Sequence, residues 1–224
     1  MPPTPRHSAT PLLLLGGTFD PPHIAHLLLA ECARLEVDPT GRARVLFLPA
    51  GDPYRKTDPT RAAPEGVRVV SAAHHRREML RLALRGNPHF ALDDRELHRP
   101  GPTYTIDTLR ELHAEGHRDL ILILGSDALA DLPNWREPQA VVDLARILVA
   151  PKPGSPGGLI THHASRITSM PPLAVSSTLI RARVAARLPI RYLVPPAVER
   201  YLAAHNLSRL ISPSPVATGE GVEG

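Results

Sequence analysis

His23 and His26 stand three residues apart, directly after the run Gly16-Gly17-Thr18-Phe19-Asp20-Pro21-Pro22. On a helix, that spacing places both imidazoles on one face. In a first turn they would lie where the helix dipole and the free N–H groups favour anions. Two imidazoles there could donate hydrogen bonds to phosphate oxygens. Gly16 and Gly17 would let the backbone turn sharply and approach a phosphate closely, and the two prolines would stiffen the helix entry. A His pair with this spacing could also ligate a metal ion. No Cys, Asp or Glu is spaced to complete such a site, so no protein-held metal is expected. The remaining alternative is two incidental histidines at a helix start, but the glycine turn and the prolines argue against it.

A second chemical segment lies far along the chain, beginning at Val175. Val175-Ser176-Ser177-Thr178-Leu179-Ile180-Arg181 opens a helix with strong N-capping residues. Its amides and hydroxyls could hold an anion, and Arg181 one turn on could add charge-assisted bonds. An ordinary cap followed by a surface arginine would look the same.

These residues need a frame. Residues 12–15 and 45–48 read as strands, residues 120–124 as a strongly apolar strand ending at Gly125, and residues 147–150 as another strand. A short strand starts near Phe90. Helical patterns cover residues 23–36, 75–85, 105–115, 126–132, 138–144, 177–187 and 196–205. In the first of these, Ile24, Leu27, Leu28 and Leu35 fall on one apolar stripe. Strands alternating with helices predict an α/β fold: a Rossmann-like, doubly wound parallel sheet with helices on both faces. Ligands of such sheets bind beyond the carboxyl ends of strands, where strand order reverses. The first motif begins where the strand of residues 12–15 ends. Residues 11–208 suit a single domain. Residues 1–10 and 209–224 are expected to be a disordered leader and tail, from their Pro-rich or polar composition.

The chain has 224 residues and a formal charge of +4. Its basic residues are mostly arginine; Lys56 and Lys152 are the lysines. That balance suits polyanionic ligands such as ATP or nucleic acid, but a compositional bias toward Arg, Ala and Pro would give it too. Cys32 is the single cysteine, so no intrachain disulfide can form, and a cytoplasmic location fits. No apolar run approaches the ~20 residues of a membrane span, so no membrane association is expected.

The first motif resembles the signature Gly-x-Phe-x-Pro-x-His-x-x-His of the HIGH-type nucleotidyltransferase superfamily, through Gly17, Phe19, Pro21, His23 and His26. The second resembles the superfamily's Ile-Ser-Ser-Thr-x-Ile-Arg, with Val175 in place of Ile. From about Leu13 to Leu207 the chain is similar to nicotinate-nucleotide adenylyltransferases. Residues 95–109 match that family's Arg-Gly-Gly-Pro-Ser/Thr-Tyr-Thr-x-Asp-Thr-Leu region, residues 124–129 its Gly-x-Asp-x-Leu stretch, and residues 132–135 its Trp-containing loop.

The resemblance implies an enzyme that joins nicotinate mononucleotide to the AMP half of ATP, giving nicotinate adenine dinucleotide and pyrophosphate in NAD biosynthesis. It implies ATP binding by Gly16, Gly17, Thr18, Phe19, His23, His26, Gly125, Ser176, Ser177, Thr178 and Arg181, with His23 and His26 catalytic. Thr103, Tyr104, Asp127 and Trp135 would hold the mononucleotide, with Lys56 on its phosphate. In chemical terms, the Trp135 face could stack on a pyridine ring and Asp127 could bind ribose hydroxyls. Asp52-Pro53-Tyr54-Arg55-Lys56 departs from the family's commoner Pro-Pro-His-Lys form. Mg²⁺ would accompany ATP as substrate. Neighbouring readings are an adenylyltransferase for nicotinamide mononucleotide or phosphopantetheine, a nucleotide sensor without turnover, and a nucleic-acid-binding synthetase fragment. The last lacks an anticodon-type domain and a Lys-Met-Ser-Lys-Ser signature, so no nucleic-acid partner is expected. A homo-oligomer is compatible with the sequence.

Overall fold

The computed structural model describes residues 10–52, 71–150, 164–167 and 170–207. Six strands form one sheet: β1 (Leu12–Gly17), β2 (Arg44–Pro49), β3 (Phe90–Leu92), β4 (Leu120–Gly125), β5 (Arg146–Ala150) and β6 (Ala164–Arg166). Every pairing is parallel, and the order is β3-β2-β1-β4-β5-β6. Strand order therefore reverses between β1 and β4, and a crevice opens at their carboxyl ends. The helices are α1 (Ile24–Val37), α2 (Ala73–Ala83), α3 (Thr105–Ala114), α4 (Ser126–Asp131), α5 (Pro138–Leu144), α6 (Ser177–Ala185) and α7 (Pro196–Ala204).

Strand parity explains the two layers. Successive side chains point to opposite faces. Leu12, Leu14, Leu122, Leu124, Ile147 and Val149 pack with Ile106 and Leu109 of α3 and Val141 of α5 on one face. Leu13, Leu15, Ile121, Ile123 and Leu148 pack with Ala30 and Ala33 of α1 and Leu80 of α2 on the other. β1 and β4 are covered on both sides, hence their unbroken apolar runs. Each leucine taken from water there contributes about 1.5–3 kcal/mol. A third cluster ties α6 to the rest: Ile180 packs with Met79, Ile190, Val198 and Leu202 from α2, the following loop and α7.

Three features differ from the sequence expectations. β1 runs on to Gly17, because Gly16 and Gly17 pair with Leu48 and Pro49 of β2. β6 was not anticipated: Ala-Ser-Arg on a sheet edge carries no apolar signal, and its pairing with β5 defines it. The stripe of Ile24, Leu27, Leu28 and Leu35 is not the buried face of α1. Ala25, Ala30 and Ala33 are buried instead, and Leu35 is 43% exposed. Small side chains let the helix axis approach the sheet closely, which leaves the larger leucines at its flanks. All but Thr10 of the expected leader, the whole of the expected tail and Lys56 lie outside the described residues.

Candidate active site at the strand-order switch

The loop after β1 is organised around Phe19. Its backbone is left-handed (φ 50°), and its ring is 2% exposed. The ring lies so close to Gly17 that a Cβ there would stand 3.0 Å from a ring carbon. A side chain at this position would press on the ring, which would have to give by a few tenths of an ångström. The same ring meets His26 edge-on, with centroids 4.9 Å apart. The Asp20–Pro21 peptide is cis.

His23 is the N-cap of α1. Its backbone N–H donates to His26 Nδ1 at 3.2 Å, and the two rings stack with centroids 3.6 Å apart. An imidazole that accepts at Nδ1 carries its neutral-form proton on Nε2. His26 Nε2 is therefore a donor. His23 is buried, and its Nδ1 has no hydrogen-bond partner among the described residues. Burial lowers its pKa to about 4, so the ring is neutral at ordinary pH.

The fold brings the second motif onto the first. Ser177 Oγ donates to Pro21 O at 2.9 Å across 156 residues of chain, and Arg181 Nη1 donates to Asp20 O at 2.7 Å. Arg181 Nη2 donates to Thr178 Oγ1 at 3.2 Å, and Ser176 caps the helix by accepting from Leu179 N at 3.1 Å. Ser176 and Thr178 remain exposed, while Arg181 Nε is buried without a partner among the described residues.

A second arginine, not singled out from the sequence, holds the loops from behind. Arg76 of α2 is 2% exposed. Its guanidinium donates to Thr18 O (3.2 Å), Ala50 O (2.7 Å), Gly51 O (3.0 Å) and Ser71 O (3.1 Å). It thereby joins the chain segments that follow β1 and β2. Asp20 is buried, accepts from Ser71 N at 2.9 Å, and favours the charged form of both Arg76 and Arg181 against the cost of burial. In sequence, Arg76 looks like its exposed neighbour Arg77.

A cavity of about 460 Å³ occupies the switch point. Of the residues expected at the site, Gly16, Gly17, Thr18, His26, Thr103, Gly125 and Trp135 line it. Phe19 is not in the lining but packs against Gly17 and His26, which are, and His23, Ser177 and Arg181 belong to the adjoining loop cluster. Tyr104 is the N-cap of α3 and stacks under the Arg136 guanidinium at 4.9 Å, outside the cavity lining. Asp127 is exposed on the first turn of α4, also outside the lining. Asp52, Glu96, Thr105 and Thr108 line it without having been anticipated. Thr108 had a signal: it falls on the apolar stripe of α3 beside Leu109, where a hydroxyl needs a buried partner.

A Cβ on Gly16 would meet nothing within 4 Å, because that position faces the cavity. If the cavity takes ATP, as the resemblance of the first motif implies, Gly16→Val is expected to weaken ATP binding at least tenfold while leaving the melting temperature within about 3 °C, since ordinary surface changes cost under about 0.5 kcal/mol. Calorimetric titration beside a thermal melt measures both. Unchanged affinity would move the ligand away from this glycine.

The arrangement suits phosphate chemistry: a neutral imidazole pair, an arginine and hydroxyls border an apolar cavity. Among the described residues, no group of three or more His, Cys, Asp or Glu is placed to hold a metal ion. No described helix is long and apolar enough to cross a membrane.

Comparison with known proteins places the chain among relatives. The cytidylyltransferase-like family matches residues 14–183. The "Probable nicotinate-nucleotide adenylyltransferase" of Roseiflexus sp. (strain RS-1) is 43% identical over 212 residues, covering 90% of this chain and all of that one. The protein of the same name from Thermomicrobium roseum is 40% identical over 207 residues, covering 88% and 91%. In structure, the chain resembles Plasmodium falciparum nicotinic acid mononucleotide adenylyltransferase complexed with NaAD: TM-score 0.67 at 17% identity, covering 90% of this chain and 98% of that one.

Proposed function

The chain belongs to the nicotinate-nucleotide adenylyltransferase family of cytidylyltransferase-like proteins, and from that premise we propose that it transfers the AMP moiety of ATP to nicotinate mononucleotide, releasing pyrophosphate. The observation that carries this reading is the joining of the two phosphate-binding motifs through Ser177 and Arg181 beside a cavity edged by Trp135.

The mononucleotide phosphate would attack the α-phosphorus of ATP in line. The bond from that phosphorus to the bridging oxygen breaks, and pyrophosphate leaves. The substrate supplies the nucleophile, so the protein contributes positioning and charge stabilisation. His23 and His26 would donate to the α-phosphate and bridging oxygens. Ser176, Thr178 and Arg181 would hold the tail that leaves. Mg²⁺ would help to neutralise the leaving group when it arrives on the triphosphate. The imidazoles, hydroxyls and arginine beside the cavity suit phosphate oxygens, so the ion would be held mainly by phosphates and water.

Trp135 would stack on the pyridine ring. The ring's carboxylate would meet the start of α3, which has no side-chain cap and whose Thr103 and Thr105 line the cavity. Backbone N–H groups at a helix start stabilise an anion and offer no acceptor to an amide NH₂. A buried NH₂ without an acceptor costs about 1–3 kcal/mol. Catalytic efficiency is therefore expected to be at least roughly tenfold higher with nicotinate than with nicotinamide mononucleotide. Pyrophosphate release with ATP and a panel of mononucleotides tests both levels. Equal efficiencies would sink the helix-start pocket, and no release with any of them would sink the enzyme.

A further inference from the structure

Trp135 is followed by two exposed charges, Arg136 and Glu137. Before it, the 3-10 turn Leu132–Asn134 anchors the loop: Leu132 is buried, and Trp135 N donates to Leu132 O at 3.0 Å. After it, each charge reaches back to α3. The Arg136 guanidinium lies 4.9 Å from the centre of the Tyr104 ring, and its Nη1 lies 3.7 Å from Asp107 Oδ2. The Arg110 guanidinium grips Glu137 with two bonds, Nη1 to Oε1 at 3.0 Å and Nη2 to Oε2 at 2.6 Å. Tyr104, Asp107 and Arg110 follow one another every third residue, so they run along one side of α3 from its N-cap. A π face, a negative charge and a positive charge on α3 thus meet a positive and a negative charge on the loop.

Two features mark this ladder as more than a tie between α3 and α5. The body of α5 is already held by Val141 in the first core cluster, whereas the ladder fastens the two residues that directly follow the tryptophan. Glu137 also has a left-handed backbone (φ 51°), uncommon for a residue with a side chain. Such a conformation persists where its surroundings over-determine it. Glu137 is the N-cap of α5, yet its carboxylate does not cap that helix and turns to Arg110 instead. One exposed ion pair contributes little, but a two-bond fork linked to further charges contributes more. Hydrogen bonding from Arg110, with Arg136 nearby, holds the Glu137 carboxyl below the usual carboxylate range, so the ladder is charged at neutral pH.

We propose that Arg110, Arg136 and Glu137 are positioning residues: the ladder fixes the Trp135 ring against the cavity, so that the base of the mononucleotide meets a preset stacking face. That a base stacks there rests on the adenylyltransferase reading above. Trp135 lines the cavity and packs against the first core cluster, while Arg110, Arg136 and Glu137 are exposed and outside the lining. They act on the substrate through the tryptophan. A preset aromatic face lowers the ordering cost of binding. The ladder therefore bears on mononucleotide affinity and leaves the chemistry at the α-phosphate unaltered.

The test uses the full chain, whose sole tryptophan is Trp135. Arg110→Glu sets like charges against each other at Glu137. Acrylamide quenching of the Trp135 fluorescence is then expected to rise at least about 1.5-fold, and KM for nicotinate mononucleotide about three- to fivefold. The turnover number and KM for ATP should stay within about twofold. Adding Glu137→Arg to Arg110→Glu swaps the pair and should return quenching and KM to within about twofold of wild type. Arg136→Ala should behave like Arg110→Glu, and Arg136→Lys should recover most of the loss, because an ammonium keeps the attraction to Tyr104 and Asp107. Unchanged quenching in both Arg110→Glu and Arg136→Ala, or a swap that fails to restore both values, would overturn the proposal. A higher KM in Arg136→Ala at unchanged quenching would also overturn it, since Arg136 would then act on the substrate directly. Should Arg110→Glu fail to fold, wild type keeps the test. Acrylamide is neutral, and raising sodium chloride from about 0.05 M to about 1 M screens exposed charges. Quenching that rises with salt supports the ladder, and quenching that stays flat overturns it. Absence of pyrophosphate release with any mononucleotide would defeat the adenylyltransferase reading, while the quenching series would still decide the ladder.

Discussion

Replacing His23 by alanine is expected to lower the turnover number about 10²–10³-fold, the usual cost of one donor that serves a developing charge. ATP affinity should change less than about threefold, because the bond strengthens only as charge builds on the reacting phosphate. The ring suits this role through its surroundings. It is buried, stacked on His26, and neutral, with its pKa lowered to about 4 by burial. A neutral donor in a fixed position needs no reorganisation when the transition state forms. The same shift sets a pH signature. The folded pKa lies below the ordinary value of 6.5, so the stability His23 contributes is complete above about 6.5 and is lost as pH falls toward about 4. His23→Asn should remove that part of the acid slope of unfolding. The pH profile of kcat/KM, which reports the free enzyme, should show no limb near 6.5 from this residue. Stopped-flow turnover and equilibrium ATP binding separate the two effects. A variant that keeps most of its turnover would remove His23 from the mechanism.

Arg76→Met is expected to cost at least about 3 kcal/mol of folding free energy, since a buried acceptor left without its donor costs about 1–3 kcal/mol and the guanidinium serves four carbonyls. For a chain of this size, that corresponds to a fall of roughly 6–12 °C in Tm. Arg76→Lys should recover only part, because an ammonium keeps the charge but cannot fork across the loops after β1 and β2. Activity should fall in both variants, as those loops carry Thr18 and the floor of the cavity. Urea and thermal unfolding measure the loss. A cost within 1 kcal/mol would show that water replaces the guanidinium and that the loops hold themselves.

Much of the fold was legible in the sequence because it is written in local periodicity. The apolar runs of β1 and β4 identify strands covered on both faces, and alternation with helical patterns gives the parallel α/β class. Motif spacing identified the first loop and α6 before either was placed in space. What tertiary structure decided is of another kind. Whether Ala or Leu of α1 meets the sheet depends on how closely the helix can approach, which no single segment encodes. β6 exists only through its neighbour β5. The union of the two motifs through Ser177 and Arg181 depends on packing around Ile180. Arg76 and Glu96 are the clearest cases. Charged side chains almost always face water, so their sequence context marks them as surface. Only a fold that surrounds one with four carbonyls, and sets the other on a cavity wall beside a hydroxyl, turns them into parts of a site.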